Sequence, residues 1–149
     1  LGAAVVAGPA RVWELRDDAP EGAALAADVE LDPGAGWVLR CDRIDFPPGG
    51  VAYRHTHPGP GIRRLLFGSI RIDTQGVSHE YGPGGAWFER GSDPVYAAAS
   101  ETEPSAFVRA MVLPAVWAGK RTIHYVDPAD EDKPKLQRPT VFFDAPVER

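Results

Sequence analysis

Short apolar segments alternate with turn residues along most of the chain. The segments are about four to eight residues long and rich in β-branched and aromatic types, and Gly, Pro or Asp bounds them. This pattern predicts many short β-strands, which are typical of a sandwich or barrel. The predicted strands are residues 11–15, 36–46, 51–57, 63–73, 78–81, 86–89, 95–100, 106–113, 123–126 and 141–143.

Both ends of the chain differ from this middle part. Residues 19–32 include an Ala-rich segment of helical composition, which is short and interrupted by Gly22. Residues 127–135 are polar and residues 140–143 are apolar, which predicts a solvated linker leading to a final strand. That strand could pack on its own barrel or on a second subunit. We expect one domain over residues 1–149, with 1–35 as an N-terminal arm and 127–149 as a C-terminal extension.

The composition favours a folded core in spite of the many turn residues. Sixteen Gly and fifteen Pro make up a fifth of the 149 residues, but 44% of the chain is apolar. A chain of this size buries roughly 68–70% of its unfolded surface, which is enough for a core without disulfides or metals. Gly and Pro therefore punctuate strands here, and an all-β domain is favoured over a helical bundle.

Charge and hydropathy exclude several classes of partner. The net charge is −5 and no run of five like charges occurs, so we expect no nucleic-acid partner. No apolar stretch approaches about 18 residues, so we expect no membrane partner. Cys41 is the single cysteine, which excludes an intrachain disulfide and a thiolate zinc site. No signal peptide is indicated, and a cytoplasmic location is the default expectation.

The strongest local feature is the pair His55 and His57, separated by Thr56. Side chains alternate between the two faces of a strand, so both imidazoles are expected on one face, about 6–7 Å apart along the backbone. Two imidazoles placed in this way can converge on one metal ion. They can also be polar residues on an exposed strand face.

The segment around this pair resembles the first motif of the cupin family, G-x5-H-x-H-x3-4-E-x6-G. Gly49, His55, His57 and Gly68 occupy its glycine and histidine positions. Residues 84–91 are similar to the first half of the second motif, G-x5-P-x-G-x2-H-x3-N. The resemblance covers about residues 46–99. It implies a jelly-roll β-barrel, or double-stranded β-helix, with a site inside the barrel, and it implies a homodimer.

Two metal-binding positions of the cupin pattern carry other residues in this chain. The motif glutamate falls at Gly61, and the second-motif histidine falls near Pro94 or Val95. Zinc and non-heme iron sites need at least three protein ligands, so His55 and His57 form an incomplete set for iron, zinc, manganese or nickel. Other residues considered as compensating ligands are Glu80 and His79, expected as solvated turn residues, and His124, expected to be structural or at an interface.

Several further residues could bind a ligand inside the barrel. Counting by twos from Gly61 places Arg63 on one face with Leu65 and Phe67, and a guanidinium there could hold a carboxylate or phosphate in a bidentate contact. Arg109 is a charge within an otherwise apolar strand, so it either faces solvent or is paired within the site. The remaining candidates, each of which could instead be a packing residue, are Trp87, Tyr96 and Met111.

Three functions are compatible with these residues. The first is a cupin that binds a small molecule, with little or no metal, and uses His55 or His57 as a general base or hydrogen-bonding group on an anionic or sugar-like compound. The second is a metal-dependent enzyme, such as a dioxygenase or isomerase, with His55 and His57 as ligands. The third is a non-catalytic module for ligand sensing or oligomerisation. The sequence leaves open whether the protein is an enzyme.

Overall fold

The computed structural model of the protein describes residues 11–18 and 21–147. Within them, ten strands and two short 3-10 turns (Ala115–Trp117 and Pro128–Glu131) are present. The strands are β1 (Trp37–Phe46), β2 (Val51–Thr56), β3 (Gly61–Phe67), β4 (Ile70–Thr74), β5 (Val77–Tyr81), β6 (Ala86–Glu89), β7 (Val95–Ala99), β8 (Ser105–Pro114), β9 (His124–Tyr125) and β10 (Arg138–Pro146).

The first eight strands pair in a nested antiparallel order. Strand β1 pairs with β8, β2 with β7, β3 with β6, and β4 with β5. The described strands form two five-stranded sheets, with orders β10-β1-β8-β3-β6 and β5-β4-β7-β2-β9. A ribbon of nested pairs wrapped into two facing sheets is a jelly roll, which closes off most sheet edges. The strand pairing thus confirms the fold that the cupin resemblance implied.

Glycine conformation explains where one predicted strand divides. The segment predicted as a single strand over 63–73 forms β3 and β4, which are separated at Gly68 and Ser69. Gly68 has φ of 77°, and a Cβ there would collide with Pro104 and Ser105, so only glycine fits this corner. The pairing register also shifts after Leu65, which leaves Phe67 exposed instead of sharing the inner face.

One other sequence prediction is wrong at the N-terminal side, because residues 11–15 form no strand. The described part of the Ala-rich segment, 21–32, forms no helix, in keeping with its short length and its interruption by glycine. Gly22 adopts φ of 76° in a turn, which a helix excludes. Across 11–18 and 21–147, no helix has the length and apolar character needed to cross a bilayer.

The C-terminal strand β10 joins the barrel of its own chain. It pairs antiparallel with β1, with an irregularity opposite Cys41 and Asp42. The intervening residues 119–137, which we call the mouth segment, run across one end of the barrel and contribute β9 to the second sheet. Of the two placements that the sequence left open for this strand, the structure shows the intrachain one. The predicted boundaries at residues 35 and 127 stay predictions.

Candidate functional site

A cavity of about 410 Å³ lies inside the barrel and opens beside the mouth segment. Its lining changes with depth, because successive inward positions of each strand face different layers. On β1, Arg40 lies near the mouth segment, Asp42 lies in the middle, and Ile44 and Phe46 lie at the closed end. The floor is apolar and consists of Ile44, Phe46, Ala52, Ile72, Val95, Ala97 and Phe107.

A row of four side chains with polar groups, which we call the polar row, crosses the first sheet above this floor. In the strand register Asp42 lies opposite Arg109, Arg109 opposite Arg63, and Arg63 opposite Trp87. All four side chains are at least nine-tenths buried and line the cavity. Burial of charged groups is costly unless partners compensate it, so the partners of these arginines decide what the site can bind.

Both arginines of this row are already paired with carboxylates. Arg109 donates to both oxygens of Asp42, at 2.6 and 2.9 Å. Arg63 Nη2 lies 2.7 Å from Glu89 Oε2, and Arg63 Nη1 donates to the Gly61 carbonyl at 2.5 Å. Burial lowers the pKa of Arg63 to about 10, which still leaves it protonated near neutral pH. Both arginines thus have carboxylate partners inside the barrel, which for Arg109 is the paired alternative, and the binding of an anionic ligand by either of them stays a prediction.

The two histidines face the cavity from the opposite sheet. A β-bulge in β2 between Ala52 and His55 brings both residues to the inner face, and His57 follows the end of the strand. The imidazole ring centroids are 4.8 Å apart and the rings are nearly perpendicular. The sequence prediction that the pair shares one face is therefore confirmed.

Backbone carbonyls assign the tautomer of each imidazole. His55 Nδ1 lies 2.6 Å from the Tyr53 carbonyl, and His57 Nδ1 lies 2.9 Å from the Thr122 carbonyl. A carbonyl only accepts, so each Nδ1 carries the proton and each Nε2 presents a lone pair. His57 Nε2 accepts from Arg109 at 3.4 Å, whereas His55 Nε2 has no hydrogen-bond partner among residues 11–18 and 21–147. His55 is therefore the imidazole available to a ligand.

Both imidazoles are neutral at physiological pH. Burial lowers the pKa of His55 to about 4, and the charges of Arg109 and Arg63 act in the same direction. The Tyr53 carbonyl and Glu89 raise this pKa but do not offset the effect of burial. The pKa of His57 is lowered well below 6.5 by burial and then by Arg109, Arg63 and His55. Neutral imidazole is the form that accepts a hydrogen bond at Nε2.

Glu89 occupies the space beside the position where the cupin glutamate is expected. It pairs in register with Gly61 across β3 and β6, and Trp87 Nε1 donates to its Oε1 at 2.8 Å. A Cβ on Gly61 would lie 2.5 Å from the Ala110 carbonyl oxygen and 2.7 Å from Met111 Cγ. A glutamate at position 61 thus does not fit, and the barrel carboxylate comes from the neighbouring strand.

The donor set does not fit a divalent metal ion. In the described part of the chain, no three His, Cys, Asp or Glu side chains lie close enough together to hold one. Glu89 is engaged by Arg63 and Trp87, and the Arg109 guanidinium contacts the lone pair of His57. A cation at the histidine pair would face that guanidinium, so electrostatic repulsion opposes it.

Not every predicted site residue reaches the cavity. Trp87, Arg63 and Arg109 line it together with the histidines, but Tyr96 and Met111 do not. Tyr96 lies between the inward residues Val95 and Ala97 and therefore faces outward. Met111 is fully buried beside Gly61 and packs with Val38 and Leu113, because the missing side chain at position 61 leaves it that space. The other residues considered as ligands, His79, Glu80 and His124, are exposed.

Asp42, Arg40 and Glu89 belong to the site but are absent from the sequence prediction. Strand alternation carried the signal: Trp87 inward implies Glu89 inward, and Ile44 and Phe46 inward imply Asp42 and Arg40 inward. Arg40 forms a bidentate pair with Asp144 on β10, at 2.6 Å for each contact, and donates to the Lys120 carbonyl. It thereby ties β1, β10 and the mouth segment together.

Comparison with known proteins finds no match by sequence and partial matches by structure. No family model and no curated protein matches the sequence. Similar solved structures include the polyketide cyclase RemF from Streptomyces resistomycificus (22% identity, TM-score 0.48), where the match covers 64% of each chain. A further example is an RmlC-like cupin from Shewanella frigidimarina (19% identity, 56% of this chain and 81% of that chain, TM-score 0.47). KdgF from Halomonas sp. is also similar (19%, 56% and 83%, TM-score 0.45).

Proposed function

We propose that this protein, which has the cupin-type jelly-roll fold, binds a small organic molecule inside its barrel without a metal ion. One observation carries the proposal: the unpartnered Nε2 lone pair of neutral His55 faces a cavity of about 410 Å³. Pockets of roughly 300–1,000 Å³ with apolar walls and a few convergent polar groups are typical of small-molecule sites. His55 serves as the hydrogen-bond acceptor, and Arg109 orients His57.

Blocking the cavity is expected to abolish ligand binding. Ala97 is buried on the cavity floor, whereas the adjacent Ala98 points to the other face of β7. An organic molecule that binds the native barrel at about a hundredfold excess over its Kd should raise Tm by roughly 5–10 °C. A thermal-shift screen in chelator-containing buffer should find such compounds for the wild type and Ala98→Phe, but not for Ala97→Phe.

Two outcomes of this screen would overturn the proposal. The first is that no compound from a chemically broad set stabilises the wild type. The second is that hits stabilise Ala97→Phe as strongly as Ala98→Phe, which would place their binding outside the barrel. A non-catalytic oligomerisation module would give the first outcome. The homodimer implied by the cupin resemblance stays a prediction.

The proposal and the metal-dependent alternative predict different metal contents. Under our proposal, protein purified from cells supplied with iron, zinc, manganese and nickel is expected to carry well under one equivalent of any of them, because the site offers two imidazoles beside a guanidinium. Elemental analysis checks this, with the His55→Ala/His57→Ala double variant as the control. One equivalent of metal that is lost in that variant would establish the metal-dependent alternative instead.

A further inference from the structure

We infer that the barrel selects an uncharged aromatic molecule that carries hydroxyl groups on one edge. The inference rests on the proposed function and adds the chemical class of the ligand. It follows from three properties of the lining: its charge balance, the kind of hydrogen bond that remains unmade, and the shape and polarity of the floor. Each property excludes a different class of alternative ligands.

The charge balance of the polar row disfavours an anionic group at that depth, whereas nearer the entrance the mouth segment adds Lys120, Arg121 and Lys135 to the lining. In the polar row, the guanidinium groups of Arg63 and Arg109 face the carboxylates of Glu89 and Asp42, and both imidazoles are neutral. All four charged side chains are about nine-tenths buried or more. An added carboxylate or phosphate would be a third negative charge against two positive ones, and burying an unpaired charge is costly. A neutral ligand keeps the balance.

The unmade hydrogen bond of His55 specifies a hydroxyl donor. His55 Nε2 only accepts, so its partner on the ligand must donate. Arg63 Nη2 and Glu89 Oε2 form an ion pair at 2.7 Å and have almost no accessible surface, so they close the polar layer and leave His55 as the acceptor that a ligand meets. A phenolic hydroxyl suits this acceptor because it is a strong donor that stays neutral at pH 7.

The floor favours an aromatic body over a sugar. Its Phe107 contacts two other aromatic rings: the ring centroid lies 5.9 Å from that of Phe46 on the floor and 5.4 Å, edge to face, from that of Trp87 in the polar row. The rest of the floor is aliphatic, so a compound with hydroxyls all around its ring would bury them without partners. A flat ring can fill this end while its hydroxyl edge stays at the polar row.

Three naphthalene derivatives on the wild-type protein test the inference. Isothermal titration is expected to give a Kd for a dihydroxynaphthalene about tenfold lower than for its dimethyl ether, because the ether cannot donate to His55. A hydroxynaphthoate, which adds a negative charge, is expected to bind at least about tenfold more weakly than the diol. Inositol, with hydroxyls around the whole ring, is expected not to bind.

One variant assigns the effect to the named acceptor. In His55→Leu the diol is expected to lose about tenfold in affinity and the dimethyl ether to keep its own, which a merely structural effect would not do. Equal affinity of diol and ether, or tighter binding of the naphthoate, would overturn the ligand class while leaving barrel binding intact. Absence of binding by every naphthalene would also overturn it. The proposed function itself is judged separately by the Ala97→Phe screen.

Discussion

Acidification from neutral pH to about pH 4 is expected to destabilise the folded protein by about 3 kcal/mol through His55 alone. The folded-state pKa of His55 is about 4 and its unfolded value is 6.5. Between these values the unfolded chain binds a proton that the folded protein does not bind. The stability that the neutral His55 side chain contributes is therefore present above pH 6.5 and is lost progressively as the pH falls. Below about pH 4 it stops changing. His57 adds an effect of the same sign.

Two histidine variants isolate this effect from the titration of carboxylates. Urea denaturation between pH 4 and 7 measures the free energy of unfolding of each protein. In His55→Gln the dependence on pH should be shallower by close to one proton, whereas His79→Gln, altered at an exposed position on β5, should follow the wild type. An unchanged slope in His55→Gln would show that the imidazole is not held neutral in the folded state.

The sequence reveals the neutral histidine pair only in part. Strand alternation places His55 and His57 on one face, but it contains no information on the burial and on the Arg109 contact that keep the pair neutral. The Arg109 contact comes from β8, more than fifty residues later in the chain, and the mouth segment also covers the pair, since the Thr122 carbonyl meets His57. Similarly, the sequence shows that Gly61 replaces the glutamate of the cupin motif and so indicates a changed metal site. The sequence does not show why a glycine is required there, which is the close packing of Ala110 and Met111 against it.

Pairing across strands is the part of the site that single-strand patterns do not contain. Counting by twos predicts that Arg63 faces inward, and it does. Counting cannot show that Arg63 meets Glu89 or that Arg109 meets Asp42, because those contacts depend on which strands are neighbours. The nested strand order decides this, so a prediction of anion binding from isolated arginines becomes a prediction of a neutral ligand once the sheets are assembled.

Removal of the Asp42 carboxylate is expected to cost about 3–5 kcal/mol of stability, which makes Asp42→Asn one of the most destabilising changes near the site. Asp42 is 1% exposed and Arg109 is 8% exposed. The substitution leaves the guanidinium without its two charge-assisted hydrogen bonds and without access to enough water to replace them. The free energy of unfolding in urea measures the loss. The double variant Asp42→Leu/Arg109→Met should recover most of it, because it removes both buried charges.

The same strand supplies the matched control. Asp45 lies on the outer face of β1 and receives three hydrogen bonds from Arg43, but both side chains are more than a third exposed. Asp45→Asn should therefore change stability by less than about 1 kcal/mol.

A second consequence separates a site role from a structural one: at 25 °C and in the folded protein, Asp42→Asn leaves a net positive charge in the barrel. It should consequently bind the hydroxynaphthoate more tightly than the wild type does, whereas Asp45→Asn should not. An Asp42→Asn protein that is as stable as Asp45→Asn and still prefers the neutral diol would contradict the balanced ion pairs on which the neutral-ligand inference depends.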